Sequence, residues 1–287
     1  MKQIFIILFA LFIGRLGAQE IPEVSKLSSF QLDFGVNKLK EENQHPKVHT
    51  GLLYGLIYGH TRQTQNISKY SIGLRFSRLK TKYEELAASA NIQLFGNYDY
   101  LFETVKKGKL TYFIGPEVNL HYNLSFYPNW DESHLYWGSC LILGVSNKLS
   151  YQMSDIQTLV FDLGLSLFSV FSRPVLNRQY KIDDISFGGI IENMHSNLET
   201  GTIDKSFLVA FQTEYQFHTS EKITQAICYS YDYKRLKSNE GILVSKRTEY
   251  KIRRCKTLNL YSNGKEETQI SQLQDKCRNG AVARRIN

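Results

Sequence analysis

Nine charged residues are the first place to look for chemistry in this chain: Asp33, Lys69, Arg75, Asp99, Glu117, Lys148, Asp162, Glu214 and Asp232. Six are acids and three are bases. Carboxylates crowded together can hold a cation, or split into an acid and a base when their surroundings push their protonation apart. Held out of water, the same residues can simply neutralise one another, because a buried charge needs a partner. The sequence favours this second role, a plug of salt bridges. His195 and Ser196 are a second candidate pair, but they are direct neighbours. Adjacent strand residues point to opposite faces, and a nucleophile and its base need contact at about 2.6–3.2 Å. The four cysteines, Cys140, Cys228, Cys255 and Cys277, form no CxxC pair and no zinc spacing with histidine. A Cys255–Cys277 disulfide is open to an exported chain, against four free thiols, two of them packed in strands. No catalytic residue, metal ligand or cofactor is expected.

The segments that carry the nine charges all alternate. In Leu110–Phe126 the residues Leu110, Tyr112, Ile114, Val118, Leu120, Tyr122, Leu124 and Phe126 share one face of an extended strand. Thr111, Gly115, Glu117, Asn119, His121 and Asn123 share the other, with Phe113 as the exception. Side chains alternate with period two along a strand. Eight more segments repeat the pattern around Phe34, Tyr54, Leu74, Leu94, Leu143, Leu163, Val209 and Tyr229. All nine charges fall on the polar faces and none on the apolar ones. Lipid enforces such a division, since Lys or Arg on a lipid-facing strand costs about 2–4 kcal/mol at the midplane. The pattern predicts an all-β fold, a closed antiparallel up-and-down transmembrane barrel of about ten strands. The tenth strand, about 242–252, is weaker, because Lys246 falls on its outward set. Pro116 deletes a ladder hydrogen bond and predicts a bulge. A barrel this narrow is filled by its own side chains.

Connections alternate in length. Long ones are expected at about 37–50, 78–87, 127–134, 172–205 and 234–241. Short ones are expected at about 60–66, 103–109, 152–156 and 218–221. Long loops on one side and tight turns on the other are the habit of membrane barrels. The 18 Tyr and 17 Phe suit interfacial girdles at the two rims.

The two ends differ from the body. Residues 1–18 read as a signal peptide, with Lys2, the apolar run Ile4–Ile13 and a small-residue site at Leu16-Gly17-Ala18. The barrel is expected over 19–254, and 255–287 as a basic, disordered tail. The net charge is +8, and residues 246–287 carry eleven Lys and Arg against four acids, a net of +7. The basicity therefore describes that end, and nucleic acid is not expected as a partner.

A signal peptide, ten or so alternating strands and this loop asymmetry resemble the small outer-membrane β-barrels of Gram-negative bacteria. The Tyr- and Lys-rich style is similar to uncharacterised barrels of the Bacteroidetes. The resemblance implies the outer membrane as location, membrane lipid around the wall, and insertion by the outer-membrane assembly machinery. It transfers no activity. Barrel phospholipases and deacylases place His and Ser as H-x-S, which His195-Ser196 does not match. Omptin proteases pair acids with a His–Asp couple near the outer rim; His121 and Asp232 share only the residue types. The expected role is a structural or ligand- and partner-binding barrel. The alternatives are a barrel enzyme acting on lipid or peptide, a narrow solute channel, and a soluble barrel with its apolar face turned inward. The loop 172–205, with Ile182, Ile185, Phe187, Ile190 and Ile191, could fold over the mouth and meet an extracellular ligand.

Overall fold

The computed structural model describes residues 25–42, 45–81, 88–127, 135–173, 186–220, 223–238 and 241–257. The expected signal peptide and residues 258–287 lie outside that set. Eleven strands and one helix follow in order: β1 (Ser25–Glu41), β2 (His45–Gln63), β3 (Ile67–Lys80), β4 (Ser89–Lys107), β5 (Leu110–Phe126), β6 (Leu135–Ser154), β7 (Gln157–Ser172), α1 (Phe187–His195), β8 (Leu198–Thr202), β9 (Ser206–Ser220), β10 (Ile223–Ser238) and β11 (Gly241–Thr257).

Each strand pairs antiparallel with its neighbour, and β1 closes the sheet on β11, from Leu27 opposite Thr257 to Glu41 opposite Leu243. β8 and β9 share one place in the wall. β7 pairs with β8 over Phe168–Ser172 and with β9 over Gln157–Leu165. The result is a closed ten-position barrel. The near end holds the tight turns 64–66, 108–109 and 155–156; at β4–β5 the turn is allowed by Gly108 at φ 57°. The far end holds the other connections.

The alternation settles which face is out. Phe34, Tyr54, Ile72, Leu94, Leu141, Ile227 and Tyr250 are exposed on the outer surface. An apolar surface of this extent is foreign to soluble monomers, and it removes the reading of a barrel with its apolar face inward. The interior is layered. Ile67, Leu101 and Phe113 cluster near the turns, so the exceptional Phe113 of the sequence is an interior residue. Charged and amide side chains fill the middle. Cys140, Ile142, Phe171, Leu208, Leu236 and Leu243 cluster toward the far end.

Several expectations are corrected. The ladder makes no bulge at Pro116. Asp99 opposes Glu117 and Phe102 opposes Ile114 in unbroken register, and the shift in β4 comes later, between Glu103 and Val105. The wall loses local pairing beside the proline without changing which side chains face in. The far connections expected at 37–50 and 234–241 shrink to 42–44 and 239–240, because β1, β2, β10 and β11 run on to Glu41, His45, Ser238 and Gly241. β11 reaches Thr257, three residues into the span expected as tail. A bulge in β7 puts Leu167 and Phe168 both outside. Phe171 therefore points inward and is 1% exposed.

Within the 172–205 connection, the helix α1 lies on the outer wall. Tyr122 and Ser139 are cross-strand partners on the outward faces of β5 and β6. Ser139 donates its hydroxyl to the Met194 carbonyl at 3.0 Å, and the Tyr122 hydroxyl meets His195 Nε2 at 3.2 Å. α1 thus clasps the barrel from outside, and Ile191 is exposed. Ile182 and Ile185 lie outside the described residues, as do the side chains of Phe187 and Ile190.

Candidate functional site

Among the described residues, the barrel interior is where the fold gathers chemically capable side chains. At its centre Arg75 of β3 reaches across to β1 and β11. Its Nε donates to Asp33 Oδ2 at 3.2 Å and its Nη2 donates to Glu249 Oε2 at 3.0 Å. The guanidinium also lies 4.0 Å over the Phe95 ring, a cation–π contact. Gln31 donates to Asp33 at 2.6 Å and Ser230 donates to Glu249 at 3.3 Å. Lys251 adds a second cation to Glu249 at 3.3 Å. Asp33 and Glu249 are fully buried; both oxygens of Asp33 are engaged, and Glu249 gathers its partners on Oε2.

A second knot lies toward the turns. Glu214 of β9 accepts from Arg253 Nη1 at 2.8 Å and from the amides of Gln212 and Gln216 at 3.2 and 2.8 Å. Arg253 also donates to Gln31 at 2.8 Å, joining the two knots. On the far side Arg247 binds Asp232 at 3.0 Å and the Gln93 carbonyl oxygen, closing a bar across the lumen. Beyond it, at the far end, Arg173 binds Glu41.

The remaining predicted residues line the same interior more loosely. Lys69 and Asp99 approach to 3.9 Å, and Lys148 and Asp162 face one another across β6 and β7. Glu117 has its own niche: a Cβ on Gly144 or Gly164 would stand 2.8 Å from its carboxylate oxygens, so two glycines make its room. All nine residues singled out in the sequence therefore turn to one lumen, although only some of them touch.

Seven partners escaped the sequence reading: Glu41, Arg173, Lys234, Arg247, Glu249, Lys251 and Arg253. Four sit on β11, where Arg247, Glu249, Lys251 and Arg253 alternate as clearly as any apolar face. Charge alternation was the available signal, and it was masked because β11 also carries Lys246 and Arg254 outward. With these included, the charges that are buried or line the interior cavities come to eight acids and eight bases among the described residues. The acid excess of the sequence thus disappears. Part of the positive charge assigned to the chain's end belongs inside the barrel.

The catalytic alternatives can be placed as well. His121 is 5% exposed, stacks on Phe95 and meets Gln93 Nε2 at 3.4 Å. Asp232 is engaged by Arg247, and among the described residues no hydrogen bond joins it to His121. His195 uses its two ring nitrogens on the Ile191 carbonyl, at 2.7 Å, and on Tyr122. Cys140 and Cys228 are buried free thiols and Cys255 is a half-buried free thiol; Cys277 lies outside the described residues.

Solved structures match this fold. The outer-membrane protease OmpT from Escherichia coli superposes with a TM-score of 0.52 at 6% identity, covering 84% of this chain and 99% of its own. The translocator domain of the autotransporter NalP from Neisseria meningitidis gives 0.38 at 12% identity, covering 87% and 94%. Neisserial surface protein A gives 0.34 at 8% identity, covering 79% and 95%. The structural neighbours are small outer-membrane β-barrels of Gram-negative bacteria, and the likeness is one of fold. No protein-family model matches the chain, and no curated protein does.

Proposed function

We propose that the protein is an outer-membrane barrel with a structural or partner-binding role, and that its lumen does not conduct. One observation carries this reading: the Asp33–Arg75–Glu249–Lys251 network and the Arg247 bar bridge the interior from wall to wall. A path through it would require separating buried ion pairs, at about 3–5 kcal/mol for each partner removed. The outward apolar surface supports a bilayer around the wall, with insertion by the outer-membrane assembly machinery after the leader is removed. The Tyr- and Lys-rich outer face supports the similarity to Bacteroidetes barrels. Lys246, outward at the far end with Tyr233 5.6 Å beneath its ammonium, suits a side chain that snorkels to an interface. The protease activity named for OmpT is not carried over, because Asp232 is held by Arg247 and His121 by Phe95 and Gln93.

Two measurements on the refolded protein test this. Membrane fractionation of expressing cells should place it with the outer membrane, and heating should change its migration on a gel. Planar bilayers should show no ohmic steps for the wild type. A water-soluble monomer without detergent defeats the membrane reading, and steady conductance defeats the closed lumen.

A further inference from the structure

The outer face of the wall changes character toward the far end. On the three adjacent strands β1, β11 and β10 the apolar belt gives way to Lys38 and Lys40, to Lys246, and to Arg235 and Lys237. Glu42 binds Lys40 at 2.9 Å. Among the described residues the other four cations make no ion pair. Lys38 and Lys246 are direct cross-strand partners at the seam where the barrel closes. Like charges set opposite one another weaken a strand pair. Just nearer the membrane middle, a groove of about 500 Å³ opens on the outer surface. The two lysines line it together with Val36, Thr248, Tyr231 and Tyr250. Val36 and Thr248 are cross-strand partners. Two short branched side chains between two tyrosines leave a slot in the belt. Val36, Tyr231 and Tyr250 are exposed. Lys38 stands two residues beyond Val36, about 7 Å along the strand. The slot therefore ends in two unanswered cations at the depth where an apolar belt meets headgroups.

We infer that this groove seats one phosphate-bearing lipid of the surrounding leaflet, its phosphate bridging Lys38 and Lys246 and an acyl chain lying along Val36, Thr248 and the two tyrosines. A phosphate monoester brings more than one negative charge and several acceptor oxygens, so it answers two ammonium groups at once. It also removes the repulsion between the lysines across the seam. A zwitterionic headgroup carries its own cation, and a neutral one brings no charge. A second copy of this chain would present the same cations and be repelled. Nucleic acid has no acyl chain to fill the slot. The inference rests on the proposed membrane placement, because the slot lies in the apolar belt.

The test photolabels the full chain, refolded in detergent, with a phosphatidic acid that carries a diazirine in one acyl chain, and maps the labelled peptides. A diacylglycerol with the same chains is the neutral control. The phosphatidic acid should label the peptides holding Val36 and Tyr250 saturably, at concentrations at least about tenfold below the diacylglycerol. Lys38→Gln with Lys246→Gln should raise the half-labelling concentration about tenfold or more, while the two Arg replacements keep it within about threefold. Lys106→Gln with Lys107→Gln, which removes the same charge from exposed positions at the near end, should leave it unchanged. Excess inorganic phosphate should not compete. The idea is overturned by equal labelling with the two lipids, by an undiminished Lys38 and Lys246 double variant, by an equal loss in the near-end variant, or by displacement with inorganic phosphate. The wild-type comparison of the two lipids decides the matter even where a variant does not fold. Heat-modifiable migration is checked first, so a negative result on a folded barrel counts against the groove alone, whereas failure to fractionate with the outer membrane counts against the membrane placement.

Discussion

Arg75 and Glu249 meet at 3.0 Å inside the barrel, although 174 residues separate them in the chain. The contact joins the third strand to the last, across the seam where the sheet closes. Its loss should be felt globally. Glu249→Ala leaves Arg75 and Lys251 short of a counter-charge in the middle of the lumen, and removing one partner of a buried pair costs about 3–5 kcal/mol. The midpoint of urea unfolding from lipid vesicles, followed by tryptophan fluorescence, should fall accordingly. A shift smaller than about 1 kcal/mol would mean that water reaches this network freely.

The niche of Glu117 makes a prediction about two residues at once. Gly164→Val places carbon where the carboxylate now lies and should cost about 1–3 kcal/mol through overpacking. Glu117→Ala introduced into the same chain should recover most of that loss. Additive effects in the double mutant would show that the two do not share the space.

How much of this could be read in advance differs between the two faces of the wall. The outer face was legible because lipid tolerates almost no exceptions, so Tyr54, Leu74 or Ile227 announces its side by type alone. The inner face was legible only where a charge stood alone among small residues, as with Asp33 or Glu117. On β11 charges occupy both faces, and apolar alternation has nothing to report there. Arg173 was hidden for another reason. It fell in the connection expected at 172–205, and the β7 bulge at Leu167 and Phe168 reverses the inside–outside parity of the rest of that strand, an extra residue that leaves no mark in composition. The far connections were overestimated because strands that rise above the apolar belt no longer need apolar residues.

The outer face itself can be tested by charge. Leu74 is 50% exposed at the middle of β3. Leu74→Arg should cost about 2–4 kcal/mol when the barrel is folded in vesicles. The same change on a water-bathed surface would stay within about 0.5 kcal/mol. A neutral result would therefore count against lipid at this position.

Tyr122→Phe removes the hydroxyl that meets His195 and nothing else. The expected loss is about 0.5–1.5 kcal/mol, confined to the attachment of α1. Proteolytic cleavage within 187–195 should quicken while the unfolding midpoint of the barrel holds. Equal loss at both would place α1 within the cooperative unit of the wall.

Glu42 caps the seam at the far end. It accepts from Lys40 at 2.9 Å and from the Ile242 amide at 3.1 Å. These two donors hold its carboxyl below the usual carboxylate range. A depressed folded value means that the contribution is present at neutral pH and fades as the pH drops through the acid range. Amide exchange at Ile242 should be slow at pH 7 and accelerate, relative to Gly241, once Glu42 is protonated. The Glu42→Gln protein should show no such pH dependence at that amide.

The distribution of charge along the chain has a consequence for how the barrel is made. During synthesis β11 emerges after every other wall strand. Until it arrives, the interior holds, among the described residues, Asp33, Glu41, Asp99, Glu117, Asp162, Glu214 and Asp232 against Lys69, Arg75, Lys148, Arg173 and Lys234, two positive charges short of neutrality. It also leaves β1 and β10 with open edges, which a bilayer does not accept. Arg247, Glu249, Lys251 and Arg253 supply both missing quantities in one stroke, the hydrogen-bonding edge and the two charges. A wall assembled without β11 would therefore face the bilayer with two open edges and, among the described residues, an interior two positive charges short of balance.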